Sequence, residues 1–296
     1  MDKSKGHLFY VYRYFIVHSG QLSLFNQQKG SQQGKNKIQF LVSECIEKNK
    51  IICDIADRKH ILLFVKNISE DIALFKFSKD APVTRYQLDD SDIIESRESN
   101  FPYVFVIIDT KQQLICLEHK TNVFAKIEIC KNSFSSFVDH FIHDLNYTFS
   151  MDEISDSGSF WDNVQNAERI YQLQLNLRSP NLFGGIYETN AFLKKIKELF
   201  NNDECAFNLK NSAGNLNITK EAMDDPFQYA SSGGGSWKLT ITKKGRKKKT
   251  TVSSKKSVKT LEINDFEERY SLFGKNNIID KIHELGTLPE KEDQNK

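Results

Sequence analysis

Tyr103-Val104-Phe105-Val106-Ile107-Ile108, the turn Asp109–Gln113 and Leu114-Ile115-Cys116-Leu117-Glu118 together form the stretch that decides the fold class. Two runs of β-branched, aromatic and aliphatic residues flank five polar ones, the pattern of a buried antiparallel hairpin. Downstream, Phe134, Phe137, Val138, Phe141, Ile142 and Leu145 fall at i, i+3, i+4, i+7, i+8 and i+11. That spacing is one stripe of an amphipathic helix, predicted over Ser133–Leu145. A helix stripe and a sheet face must each bury against something, so the helix is expected to cover the hairpin. The fold class that follows is α+β, an antiparallel sheet packed by helices, in two sub-domains.

Outward from this centre, Leu8–Val17 reads as a first strand and Asn26–Asn36 as a polar loop. Ile38, Leu41, Val42, Cys45 and Ile46 recur at helical spacing, and a helix is expected to end near Asn49. Ile51–Ile55 and His60–Val65 form a second hairpin, with Ile72–Phe77 a weaker strand. Asp89–Asn100, with five acidic residues, reads as a loop, and Val123–Ile129 alternates like a strand extending the sheet. The polar, acidic stretch around Gly158 reads as a linker. The expected organisation is therefore an N-terminal α+β domain at 1–149, a linker at 150–166, a C-terminal α+β domain at 167–285 and a flexible tail at 286–296.

In that C-terminal part, Tyr171, Leu173, Leu175 and Leu177 alternate with Gln172, Gln174 and Asn176, a strand with one buried face. A helix is expected at Thr189–Phe200 and short strands at Ala206–Leu209 and Leu216–Ile218. Trp237, Leu239 and Ile241 alternate again, and Asp265 with Glu268 predicts the capped start of a helix reaching Leu285.

A chain of 296 residues with 22 Phe and 10 Tyr supplies a sizeable core and excludes intrinsic disorder. Leu8–Val17 is too short and too polar at Arg13 to span a bilayer, and it has no cleavage site after it. Five scattered cysteines (Cys45, Cys53, Cys116, Cys130, Cys205) read as reduced, buried thiols of a cytoplasmic protein.

Charge is distributed unevenly. Between Lys238 and Lys259 there are ten basic residues and no acidic one, so a net charge of +2 conceals −8 elsewhere. The order is strand, cluster (Lys243, Lys244, Arg246, Lys247, Lys248, Lys249), then β-prone residues with Lys255, Lys256 and Lys259. A hairpin turning near Gly245 would present six cations at its tip and further lysines along its return strand. Their repulsion is relieved by a polyanion through counterion exchange, and lysine favours phosphate over base edges. Lys243, Lys244, Arg246, Lys247, Lys248, Lys249, Lys255 and Lys256 are accordingly the expected nucleic-acid-binding residues, with DNA the expected partner. The bland reading of the same residues is a solvated loop.

Other patterns carry less. Asp109 with Glu118-His119-Lys120 imitates the D…E-x-K arrangement of metal-dependent nucleases, but a hairpin places the two carboxylates too far apart for one Mg²⁺. Asp139-His140 and His143-Asp144 could share a helix face, yet that face is the polar one. Gly233–Gly235 precedes a strand and lacks the lysine of a phosphate loop. No cofactor, metal or catalytic residue is assigned.

The opening Phe9-Tyr10-Val11-Tyr12-Arg13, the lysine/serine-rich loop and the helix Ile38–Ile46 resemble the RexA-like phage-exclusion proteins. So do the strands around His60–Val65, the Phe101-Pro102-Tyr103-Val104-Phe105-Val106 run and the Phe137–Ile142 helix, a coverage of about residues 8–145. Arg169–Pro180 and the helix after it are similar in layout to a bacterial domain family of unknown function found near phage-defence genes. The resemblance implies a DNA-binding, homodimeric, cytoplasmic sensor acting with a membrane effector protein, without itself inserting into the membrane. The basic tract 243–249 has no counterpart in that family. The sequence therefore points to a non-enzymatic nucleic-acid-binding sensor or regulator of phage defence. The rivals are a nuclease with a dispersed active site and a protein-interaction subunit docking through Asp89–Glu98.

Overall fold

The structure, a computed structural model, describes residues 6–18, 27–145, 147–178, 199–200, 202, 204–263 and 275–286. The expected helix at Thr189–Phe200 (except its last two residues), the Asp265/Glu268 start and the tail beyond 286 lie outside these residues. The chain gathers into two compact units. The first comprises Met1–Phe9, His18–Phe149 and Glu262–Lys275, the second Tyr10–Val17, Ser150–Leu261 and Asn276–Lys296.

In the first unit, strands β2 (Lys50–Ile55), β3 (Arg58–Asn67), β4 (Ile72–Lys79), β7 (Tyr103–Asp109) and β8 (Leu114–Glu118) pair antiparallel in the order β8-β7-β4-β3-β2. The first strand of the chain, β1 (His7–His18), adjoins β8, where the carbonyl of Leu8 accepts the His119 N–H. The deciding hairpin forms as its pattern requires, with Ile108 opposite Ile115 and Val106 opposite Leu117. Helix α2 (Ile127–Ile142) covers it: Phe134 and Phe137 are fully buried, with ring centroids 5.2 and 5.6 Å from that of Phe77 on β4. Helix α1 (Gln27–Lys48) buries Ile38, Leu41, Val42 and Cys45 but leaves Ile46 exposed.

The weaker strand candidate Ile72–Phe77 forms as β4, which lies between β3 and β7 and is buried along almost its whole length. Three expectations are corrected here. The expected loop Asn26–Asn36 is, from Gln27 on, the first part of α1. The expected strand Val123–Ile129 is instead a turn followed by the start of α2. Ile127, Cys130 and Phe134 are buried at helical spacing, and Phe124 stacks on Phe77. The expected loop Asp89–Asn100 is mostly ribbon: β5 (Val83–Asp89) and β6 (Asp92–Glu98) pair with each other alone and are solvent-exposed on both faces. An exposed ribbon lacks the buried alternation by which strands are recognised, so only its acidic turn, Asp89–Asp92, was legible.

The second unit is built on a four-stranded antiparallel sheet, ordered β11 (Glu204–Lys210), β10 (Ala167–Arg178), β12 (Gly235–Lys243), β13 (Lys249–Ser253). Its inner face carries Leu173, Leu175, Leu177, Trp237, Leu239 and Ile241, in one cluster with Phe160, Trp161, Phe227 and Tyr229. Phe160 and Trp161 come from α3 (Ser157–Gln165), and Phe227 and Tyr229 from α4 (Lys220–Tyr229). The stretch 150–166, expected as a linker, therefore holds the end of β9 (Tyr147–Glu153) and α3. Asp156 caps α3 by accepting the Gly158 N–H at 3.0 Å, and two adjacent aromatics anchor the helix despite its polar composition. Strand β14 (Thr260–Ile263) and helix α5 (Lys275–Gly286) complete the described chain. Leu216–Ile218, expected as a strand, is irregular, with Ile218 buried in the same cluster.

Candidate nucleic-acid interface

The basic tract folds as the β12–β13 hairpin. Thr242 pairs with Lys249, Thr240 with Thr251 and Lys238 with Ser253, so the chain reverses across Lys243–Lys248. The turn closes where the Arg246 N–H donates to the Lys243 carbonyl at 2.9 Å. Gly245 sits at its third position with φ of 73°, a conformation that a type II turn demands and that a side chain would strain. The Lys244 N–H donates to the Asn166 carbonyl at 3.2 Å, tying the turn to the C-terminus of α3. The negative end of a helix macrodipole beside a cation cluster offsets part of its self-repulsion.

Lys244, Arg246, Lys247 and Lys248 are exposed, and among the described residues none has an ion-pair partner. Lys243 is half-buried, and the Lys249 ammonium lies 3.8 Å from the centroid of the Tyr171 ring. The Tyr171 phenol is held below its ordinary pKa by the Thr242 hydroxyl, then by Arg169 and the charge of Lys249. Lys243, Lys244 and Arg246 line an open cleft of about 420 Å³ with Asp162, Asn163 and Asn166.

The eight expected binding residues do not form one patch. Six share the turn, but Lys255 and Lys256 sit in a helical turn, Ser254–Lys256, beyond the far end of β13. The intervening strand is about 17 Å long at ~3.4 Å per residue. After Lys249 the return strand carries Thr250, Thr251, Val252 and Ser253 and no further lysine. Phe227, Tyr229 and Trp237, the upstream aromatics, are buried in the core and offer no stacking surface.

Sequence reasoning missed the other face of this sheet. Opposite the apolar cluster, the paired positions carry Gln172, Gln174 and Asn176 on β10, and Asn208 and Lys210 on β11. Lys238 and Thr240 on β12 and Thr251 on β13 complete it. The Gln172 amide donates to Asn208 Oδ1 at 2.8 Å, and the hydroxyls of Thr240 and Thr251 lie 3.3 Å apart. The polar half of the β10 alternation was visible in the sequence, but not the strands beside it.

The remaining constellations have structural duties. The Asp109 carboxylate accepts the N–H groups of Lys111 and Gln112 and so shapes the β7–β8 turn. Glu118 lies at the other end of that ladder, about 14 Å away at ~3.4 Å per residue. Its carboxylate accepts the Phe105 N–H at 2.8 Å and lies 2.5 Å from His7 Nδ1 and 3.4 Å from Lys120 Nζ. Burial pushes its pKa up, but those hydrogen bonds and the Lys120 charge outweigh burial and hold it below the ordinary value. Asp139 accepts the Phe149 N–H at 2.6 Å, while His143 and Asp144 are exposed neighbours. Among the described residues no group of three His, Cys, Asp or Glu side chains is arranged to hold a metal.

Burial pushes the thiols of Cys45, Cys116 and Cys130 up to about 12, far from thiolate reactivity. Gly233–Gly235 joins α4 to β12. A Cβ at Gly235 would lie 2.1 Å from the Asn176 carbonyl oxygen, so close strand approach, not phosphate binding, explains that glycine. No helix among the described residues is long and apolar enough to cross a membrane, which leaves β-barrel spanning unaddressed. The chain matches no protein-family model, and no curated protein matches its sequence.

Proposed function

We propose that this protein is a non-enzymatic nucleic-acid-binding sensor or regulator of bacterial phage defence, working in the cytoplasm as a homodimer with a membrane effector. The observation that carries the binding reading is the set of four exposed cations, Lys244, Arg246, Lys247 and Lys248, without ion-pair partners among the described residues, on a turn hydrogen-bonded to the end of α3. Concentrated positive charge on an exposed turn binds phosphate by releasing counterions, with little dependence on base sequence. The defence setting rests on the resemblance of residues 8–145 to RexA-like proteins, and five free thiols accord with a reducing compartment.

Binding of a labelled DNA duplex, followed by fluorescence anisotropy against salt, tests the reading. Four phosphate contacts give a log–log slope of about −3.6, so affinity falls roughly 150-fold between 50 and 200 mM salt. The triple variant Lys244→Glu/Arg246→Glu/Lys248→Glu is expected to lose this binding with its melting temperature nearly unchanged. No binding by the parent protein at low salt, or full binding by the variant, refutes it.

A second reading, a protein-interaction subunit, draws on the β5–β6 ribbon, where Tyr86, Leu88 and Ile93 are 68%, 85% and 63% exposed beside an acidic turn. Large exposed apolar residues on an isolated ribbon favour a protein partner. A pull-down lost on Leu88→Glu but not in the triple variant distinguishes it.

A further inference from the structure

We infer that the outward face of the β11-β10-β12-β13 sheet binds single-stranded nucleic acid, an inference that rests on the nucleic-acid reading of the adjoining hairpin turn. Register places this face in rows across the strands. Arg169, Thr242 and Lys249 form the row nearest the turn, with the Thr242 side chain buried. Lys210, Gln172, Thr240 and Thr251 form the next, then Asn208, Gln174, Lys238 and Ser253, then Ala206, Asn176 and Ser236. None of these fourteen positions is a carboxylate. Two acids flank the face: Glu204, ion-paired with Arg178, and the exposed Glu168 at the β10 irregularity beside Arg169. Three amides of β10, an amide of β11 and the Thr hydroxyls supply donors and acceptors, while Lys210, Lys238 and Lys249 supply charge for phosphates.

Amide side chains pair with base edges, and the hydrogen bonds Gln172–Asn208 and Thr240–Thr251 already hold part of the face in place, lowering the entropy lost on binding. The width of the face selects the strandedness. Four strands at ~4.8 Å separation span about 14 Å between the outer backbones alone. A B-DNA major groove is about 12 Å wide and admits a helix or a two-stranded ribbon, so this face does not reach base edges inside a duplex. Unpaired bases present those edges freely. The hairpin turn, in contrast, projects beyond the sheet and meets phosphates of either form. Tyr171 is no stacking platform, because Lys249 covers its ring and a Cβ at Gly214 would lie 2.9 Å from it. Recognition here is by hydrogen bonds to base edges and sugar.

The test uses the full-length protein with one labelled sequence as single-stranded DNA, as single-stranded RNA and as the DNA duplex. Gln174→Glu and Asn208→Asp, made separately, are isosteric, and the Asp carboxylate can still accept the Gln172 amide hydrogen bond. Each is expected to weaken binding of a single strand about tenfold while leaving duplex binding within about threefold. The comparison of DNA with RNA reports whether the 2′-hydroxyl is contacted. The turn variant Lys244→Glu/Arg246→Glu/Lys248→Glu is expected to weaken single strand and duplex together. Single-strand affinity unchanged in both isosteric variants, or duplex affinity falling in parallel, overturns the sheet-face site while leaving the turn as a phosphate-binding element. Failure of the parent protein to bind all three probes at low salt overturns both readings. Thermal melts superposing on the parent's exclude loss of fold as the cause.

Discussion

Glu118→Ala is expected to destabilise the first unit by about 3–5 kcal/mol, the range for breaking a buried ion pair. The carboxylate is 3% exposed and receives the Phe105 N–H at 2.8 Å, His7 Nδ1 at 2.5 Å and Lys120 Nζ at 3.4 Å. Truncation removes the hydrogen bond from the Phe105 N–H, worth about 1–3 kcal/mol, and the bond with His7, worth about 1.5–3 kcal/mol. Lys120 is 30% exposed, so screening limits that pair to about 1 kcal/mol or less. These contributions share one group and do not sum in full.

Glu118→Gln keeps an acceptor for Phe105 but no charge, and should cost about 1–2 kcal/mol. The pH dependence follows from the depressed pKa. A carboxylate whose folded pKa lies below its ordinary value of 4.5 contributes fully above that value, and its contribution is lost as pH falls through the folded pKa. Urea melts by circular dichroism at neutral pH and on acidification should therefore show a shallower acid loss in Glu118→Gln than in the parent. A neutral-pH change below about 1 kcal/mol for Glu118→Ala, or parallel acid limbs for parent and Gln variant, refutes the reasoning. Nucleic-acid binding should survive wherever Glu118→Ala remains folded. DNA cleavage lost in that folded variant would instead restore a catalytic role.

Phe137→Ala removes a fully buried ring packed on Phe77 and Phe134, and chemical denaturation should register a loss of about 3–5 kcal/mol; less than about 1 kcal/mol would dissolve the helix-on-sheet layer. Gly235→Ala drives a Cβ to within 2.1 Å of the Asn176 carbonyl oxygen and should lower stability by about 3 kcal/mol or more. A Gly235→Ala protein melting with the parent would contradict the β10–β12 register.

The sequence by itself determined the elements whose evidence is local. The β7–β8 hairpin, the α2 stripe, the alternation of β10 and the reversal at Gly245 all report periodic burial or turn chemistry within about a dozen residues. The cation cluster was legible for the same reason, since charge needs no partner to be read. Tertiary structure decided what depends on distant neighbours. Val123–Ile129 alternates, yet Phe77 takes Phe124 and the helix takes Ile127. The polar stretch 150–166 is a helix because Phe160 and Trp161 find Phe227. Lys255 and Lys256 are adjacent to the basic turn in sequence but a strand's length from it in space. The open face places Asn208 beside Gln174 and Gln174 beside Lys238, residues separated by 34 and 64 positions. Periodicity tells a strand which of its sides is buried. Only pairing tells it which side chains it will stand beside.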